Sequence, residues 1–432
     1  MARTSLRDDV TSLLQELIRV DTVNPPGNET AAAELLRAYL EPCGLECRLY
    51  SRRPERANLV ARLRGRDPDA PRLLLLSHTD TVFAEPGDWA VPPWSGELRD
   101  GEIWGRGALD MKGHVAAAAV ALSTLAREGF EPEGDVIFAA TADEEVGEGF
   151  GLSWLCEAHP EAVRATWCVN EGGGDRIVLG GRTIYLCATS EKASAPFRLR
   201  VRGRGGHAAT PAIGDNALVK AARLVERLAE LRLPATLTPE TRALVTALVP
   251  AGSPEDGLER VRATAPRAAA MIEPMLRTTV APTQIVASAR RNVIPAVCEI
   301  ICDCRLLPGV TPADVEAELA AQLGREGCEL EWIEYVGGSR SSLDTPLWAA
   351  VEDFVHRDDP GASVVPILLP GFTDSHYLRQ AFGTIAYGFF PMRAMDAELA
   401  AQLVHSVDER IAVDDLELGT RFLLHVARAL TG

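Results

Sequence analysis

The sequence predicts an α/β protein: a mostly parallel sheet flanked by helices, with a smaller ferredoxin-like α+β domain inserted into it. Three observations carry this reading. Short apolar runs alternate with helix-period stretches through the first half of the chain. Near residue 190 the order becomes strand–helix–strand–strand–helix–strand, that of a ferredoxin-like unit. After residue 337 the first pattern returns. The expected division is a discontinuous domain of residues 1–189 and 338–432, with residues 190–337 inserted as a lid and dimerisation domain.

Taken in order, residues 7–20 and 29–42 repeat their apolar positions with helical period, and Asn28 with Glu29 offers a helix start. Residues 57–64 and 72–77 read as strands. The four leucines 73–76 read as a strand buried on both faces more than as a helix, because flanking turn signals keep the run short. An alanine-rich helix is expected over 111–128, then short apolar strands at 135–141 and 165–170. In the insertion, strands are expected at 195–203, 282–289, 296–306 and 328–335, with helices at 215–231 and 312–325. The Pro-, Thr- and Glu-rich stretch 232–280 reads as an extra helical insertion. The last part should hold helix 345–357, strand 383–389 and helix 414–430.

Composition narrows the function classes. The 432 residues are 47% hydrophobic and 24% charged, ordinary for a soluble protein with more than one domain. No apolar run reaches the roughly 18 residues of a membrane span, and MARTSLRDDV lacks the apolar core of a signal peptide. Net charge is −17, and Lys and Arg form no dense run, so neither nucleic acid nor an anionic membrane is an expected partner. The nine cysteines are scattered, without paired metal-type spacing, and fit reduced thiols in a cytoplasmic protein. Cys302 and Cys304, two apart on an expected strand, read as packing residues.

In an open parallel sheet, ligands bind outside the carboxyl ends of the strands. His78 and Asp80 follow the leucine-rich strand. Asp110 stands between a glycine-rich turn and a helix in GRGALDMKG. Glu144 and Glu145 follow DVIFAATAD, Glu171 follows ATWCVN, and His405 opens HSVDE. Carboxylates converging on one cleft repel each other or stay protonated unless a cation holds them. Imidazole with carboxylate suits zinc, with cobalt or manganese as substitutes. His78, Asp110, Glu145, Glu171 and His405 have the count for two metal ions, each with one His and one terminal acid, and Asp110 shared.

The stretches SHTDTV, GRGALDMKGH, ADEEVG, NEGG, GRGGHAATP, RNVIP and HSVDE occur in this order, in a resemblance that spans about residues 10 to 428. Together they resemble the dinuclear-zinc amidohydrolase and exopeptidase family of acetylornithine deacetylase, succinyl-diaminopimelate desuccinylase, aminoacylase and carboxypeptidase G. The resemblance implies a zinc-exopeptidase-like fold and a homodimer. It implies His78, Asp110 and Glu171 on one ion and Asp110, Glu145 and His405 on the other, with a cis peptide after Asp110. It implies Glu144 as general base and Asp80 as the residue that orients His78. His207 would reach the partner subunit's active site and stabilise an oxyanion. Asn292, Arg305, Gly371 and Thr373 would contact substrate, with Asp374 in the same loop and His376 near it. Arg305 fits the grip on a substrate carboxylate, or an ion pair with Asp303. His114, His159, His356 and His425 read as structural or exposed. The expected substrate is a small molecule with an amide and a carboxylate. Hydrolysis of an N-acyl amino acid leads; a dipeptidase or carboxypeptidase and a non-catalytic binding homologue are the alternatives. Glu171 leans the reading toward a deacylase or carboxypeptidase.

Overall fold

Strand Leu73–His78 is buried along its whole length and sits in the middle of the larger sheet. The structure is a computed structural model and describes residues 5–179, 181–249, 253–264, 269–270, 272–324 and 328–432. Across the sheet the order is Glu46–Ser51, Ala57–Leu63, Val136–Thr141, Leu73–His78, Trp167–Asn170, Ile385–Gly388, Arg182–Glu191 and Ser363–Leu369, with Arg176–Leu179 paired to Arg182–Glu191. The four strands from Val136–Thr141 to Ile385–Gly388 are mutually parallel. Antiparallel strands flank them on both sides. Parallel pairing requires both faces to be covered, and helices cover them. Helix Lys112–Arg127 is buried nearly all round because its alanines let neighbouring elements approach closely. Helices Leu6–Arg19 and Val413–Thr431 pack on it.

Helix Glu29–Leu40 begins where expected, for another reason. Asn28 makes no side-chain cap; instead Glu29 is buried and accepts two hydrogen bonds from Arg56, 2.6 and 2.8 Å. Several strands were not visible in the sequence pattern: Glu46–Ser51, Glu97–Arg99, Glu102–Trp104, Arg176–Leu179, Arg182–Glu191 and Ser363–Leu369. The last contains Pro366, which argues against a central strand, and the structure places it at the end of the sheet order, where a proline is tolerated.

The chain divides into two compact units, one of residues 1–189, 341–367 and 373–432, the other of 190–340 and 368–372. In the second unit the strands Cys328–Trp332, Phe197–Arg202, Val297–Leu306 and Thr279–Val286 lie in that order, all antiparallel. Helices Ala217–Glu230 and Pro312–Leu323 complete the ferredoxin-like pattern. The helix expected to run to 325 ends at Leu323 with Gly324 as its C-cap, and residue 325 lies outside the described residues. Helices Pro239–Leu248 and Pro254–Thr264 stand within the 232–280 insertion, of which residues 250–252, 265–268 and 271 also lie outside them. Buried Cys298, Cys302 and Cys304 pack on one face of Val297–Leu306, within the core of this unit.

Candidate metal centre

The parallel strands deliver their polar ends to one place. His78 ends Leu73–His78; Glu144 and Glu145 follow Val136–Thr141; Glu171 follows Trp167–Asn170. A Cβ on Gly388 would stand 1.9 Å from the Glu171 carbonyl oxygen, so only glycine lets the neighbouring strand pass this close. Asp110 comes from the turn before the alanine-rich helix, where the Asp110–Met111 peptide is cis, as the resemblance implied. His405 is half-exposed and adopts a left-handed φ of 59°, uncommon for a residue with a Cβ.

Among the described residues, two groups of three have ligand atoms within 4.8 Å of one another: His78, Asp110 and Glu171, and Asp110, Glu145 and His405. The two oxygens of Asp110 face different imidazoles. His78 Nε2 lies 3.1 Å from Oδ1, and His405 Nε2 lies 2.9 Å from Oδ2. His78 Nε2 is also 3.8 Å from Glu171, and His405 Nε2 3.2 Å from Glu145. Tetrahedral ligands about 2.1 Å from zinc stand about 3.4 Å apart, the middle of this range. Glu145 Oε1 is buried without a hydrogen-bond partner, a donor atom left for something other than protein.

The charges agree with the donor set. Burial, with the negative charge of Glu171 beside it, pushes the Glu144 carboxyl well above the usual range. Burial also pushes Glu171 and Asp374 up to about 7. Hydrogen bonds to Asp110 and Glu145 push His405 up to about 10. Burial works against a charged His78, but Glu171, Asp110 and Asp80 more than offset it and raise its pKa. Burial also opposes ionisation of Asp110, yet the two imidazoles hold its carboxyl far below its ordinary value. This is surplus negative charge in a dry place, which divalent cations would neutralise.

A buried polar network surrounds the cluster. Asp80 accepts hydrogen bonds from the backbone N–H groups of Glu144 and Glu145, both 3.1 Å, and its carbonyl lies 3.1 Å from His78 Nδ1. The sequence reading missed three members. Asn24 donates to Asp80 at 3.0 Å and to Asp143 at 3.3 Å. Asp143, at a left-handed φ of 69°, accepts from Arg56 and from Phe150 N, fixing the turn that carries Glu144 and Glu145. Glu409 lies four residues past His405 and is fully buried. It accepts from Arg106 and from the backbone N–H groups of Gly107, Leu109 and Asp110, at 2.7 to 3.0 Å. It therefore ties the His405 segment to the Asp110 turn. Its one sequence signal is its place in HSVDE.

The remaining expected residues make contacts within their own units. His207 and Asn292 are exposed in the second unit, where Ala208 N donates to the Asn292 carbonyl at 3.1 Å. Arg305 forks onto Asp303 at 2.9 to 3.2 Å, the ion-pair alternative raised by the sequence. The Gly371 carbonyl accepts from Lys192 N. Thr373 Oγ1 accepts from Asn170 at 3.2 Å, and Asp374 from Thr141 at 3.1 Å. His376 is buried, His159 packs on Tyr50 and Trp154, His356 is exposed, and His425 lies 3.3 Å from Asp353. His114 is buried with neither ring nitrogen hydrogen-bonded.

Residues 74–429 match peptidase family M20/M25/M40. The chain belongs to this family. The M20 assignment makes it an amide-bond metallohydrolase, as the sequence reading expected. Among its relatives, succinyl-diaminopimelate desuccinylase of Delftia acidovorans is 28% identical over 412 residues, 94% of each chain. The N-fatty-acyl-amino acid synthase/hydrolase PM20D1 of Xenopus tropicalis is 27% identical over 394 residues, 84% of this chain and 73% of that protein. The M20 metallo-carboxypeptidase Sso-CP2 of Sulfolobus solfataricus shares the fold, with a TM-score of 0.75 at 18% identity over 98% of this chain and 99% of that one. No helix among the described residues is long and apolar enough to cross a membrane.

Proposed function

We propose that the protein hydrolyses the amide bond of an N-acyl amino acid, with two divalent metal ions held by the two clusters. The observation that carries this is Asp110, whose two oxygens face His78 and His405 separately. His78, Asp110 and Glu171 would hold one ion, and Asp110, Glu145 and His405 the other. Zinc fits the imidazole and carboxylate donors, with cobalt or manganese as substitutes. When bound, the ions polarise a carbonyl and lower the pKa of water toward about 7. Glu144 takes the proton from the attacking water and passes it to the leaving nitrogen. Asp80 holds the Glu144–Glu145 turn through its two backbone N–H groups while orienting His78.

His207, Asn292, Arg305, Gly371 and Thr373 contact the substrate: His207 steadies the developing oxyanion, and Arg305 exchanges Asp303 for a substrate carboxylate. Residues 190–337 serve as lid and dimer contact. Among the described residues the strand Thr279–Val286 pairs only with Val297–Leu306, and it exposes Ile285 and Val286, an edge that two-fold pairing would cover. The nine free cysteines suit the reducing cytoplasm.

The names of the relatives, a desuccinylase and an acyl-amino acid hydrolase, support a deacylase. The test is a screen of zinc-loaded protein against N-acetyl, N-succinyl, N-formyl and N-arylacetyl amino acids and dipeptides. Hydrolysis of N-acyl amino acids, lost on chelation and restored by zinc, is expected. Cleavage of dipeptides alone would make the protein an exopeptidase, and cleavage of nothing would sink the reading.

A further inference from the structure

The arginines are unevenly placed along the chain. Residues 46–72 hold eight of them against four acids, Glu46, Glu55, Asp67 and Asp69, although the whole chain carries a net charge of −17. They are spread along that stretch, and the fold gathers four of them. Strands Glu46–Ser51 and Ala57–Leu63 form a hairpin at the end of the larger sheet, pairing Glu46 with Arg62, Arg48 with Val60 and Tyr50 with Asn58. Paired residues share a face, so Arg48, Tyr50, Val60 and Arg62 point the same way. With Arg64 and Arg72 they line a groove of about 250 Å³. Ala162 of helix Pro160–Val163 closes one side of it.

This groove stands at the opposite end of the central strand from the metal centre. Arg72 immediately precedes strand Leu73–His78, and His78 ends it. The six residues of that strand, at about 3.3 Å each, set Arg72 about 20 Å from His78. A small occupant of the groove therefore touches no metal ligand. Nor do the neighbouring carboxylates use up the guanidinium groups. Glu46 is shared between Arg48 at 2.7 Å and Arg64 at 2.6 Å, and Asp135 takes Arg62 at 2.7 Å. Arg48 and Arg64 are largely exposed, so their pairs with Glu46 are weak and open to exchange. Arg72 is partly buried and, among the described residues, pairs with no carboxylate; it donates to the Pro68 carbonyl at 2.9 Å. Glu161 also lines the groove, but it is exposed to solvent, where its charge is screened.

We propose that the groove binds a small molecule through a phosphoryl group, held by Arg72 together with Arg48 and Arg64, with Val60 and Tyr50 receiving the rest of it. One guanidinium fork fills the two oxygens of a carboxylate. A phosphoryl group offers three acceptor oxygens and close to two negative charges, and so takes donors from several guanidinium groups at once. The Tyr50 ring is steadied by His159, 4.8 Å away between ring centroids, and presents a fixed apolar surface beside the arginines. This site stands independently of the amide-hydrolase reading.

Calorimetry on the zinc-loaded, full-length protein tests it, with phenyl phosphate and benzoate as probes at a pH where the phosphate is a dianion. Binding of either probe to the metal ions is common to wild type and variants and cancels between them. Arg72→Met keeps an apolar stem and removes the charge; it should weaken one binding event for phenyl phosphate about tenfold. For benzoate the same substitution should cost no more than about twofold. Arg64→Met, at an exposed position, should also weaken phenyl phosphate, and it decides the matter if Arg72→Met does not fold. Arg357→Met removes an exposed arginine from helix Pro346–Asp358, outside the groove, and should leave both probes unaffected. An equal loss in Arg357→Met would mean an adventitious ion only, and would overturn the proposal. So would unchanged phenyl phosphate binding in the groove variants, or a loss for benzoate as large as that for phenyl phosphate.

Discussion

At the carboxyl ends of the parallel strands the polar side chains are buried and held; in the inserted unit the expected substrate contacts are exposed or engaged with their neighbours. Asp80 takes hydrogen bonds from Asn24, Glu144 N and Glu145 N without any exposure to solvent. His207 and Asn292 are open to solvent, and Arg305 lies on Asp303. The first arrangement is preorganised, so little is lost to ordering when a metal or substrate arrives. Under the proposed function, the groups of the second are recruited when substrate binds.

The sharpest way to break this contrast is at the base. Glu144→Gln should lower kcat by about two to four orders of magnitude, with metal content and thermal unfolding unchanged. Loss of metal instead would mean that Glu144 is a ligand and the roles of the two adjacent acids are exchanged. Next in size is Glu409→Ala. It leaves Arg106 buried and unpaired and frees three backbone N–H groups of the Asp110 turn. Urea unfolding should show a loss of about 3–5 kcal/mol; a loss under 1 kcal/mol would show that the turn is held without it.

Much of this centre is legible in the sequence, because a polar residue directly after an apolar run marks a strand end. His78, Glu144, Glu145 and Glu171 are all of that kind. Asn24 and Glu409 are not: their partners are 56 and about 300 residues away, and no local pattern signals such a contact. Asp143 hides differently, since a left-handed φ at a non-glycine residue has no reliable signature. The missed strands fail for related reasons. Glu46–Ser51 is partly exposed along its whole length and contains no apolar run, and Ser363–Leu369 carries a proline.

The network found only in the structure gives the intermediate test. Asn24→Ala removes the link between Asp80 and Asp143 and should reduce activity or metal affinity about 10- to 100-fold, as residues behind metal ligands commonly do. An effect under twofold would show that Asp80 holds its place alone. The smallest effect belongs to the inserted unit. Arg305→Ala should change stability by at most about 1 kcal/mol, because its pair with Asp303 is partly exposed. It should raise KM for carboxylate-bearing substrates with little change in kcat. An unchanged KM would assign Arg305 to Asp303 alone.

In the proposed centre one carboxylate, Asp110, joins two metal sites. Metal content after equilibrium dialysis against zinc tests it most directly, comparing wild type, Glu171→Ala and Asp110→Ala. The wild type should hold two ions per chain, Glu171→Ala one tightly held ion, and Asp110→Ala neither tightly, with all three folded by circular dichroism. Two ions retained by Asp110→Ala would contradict it.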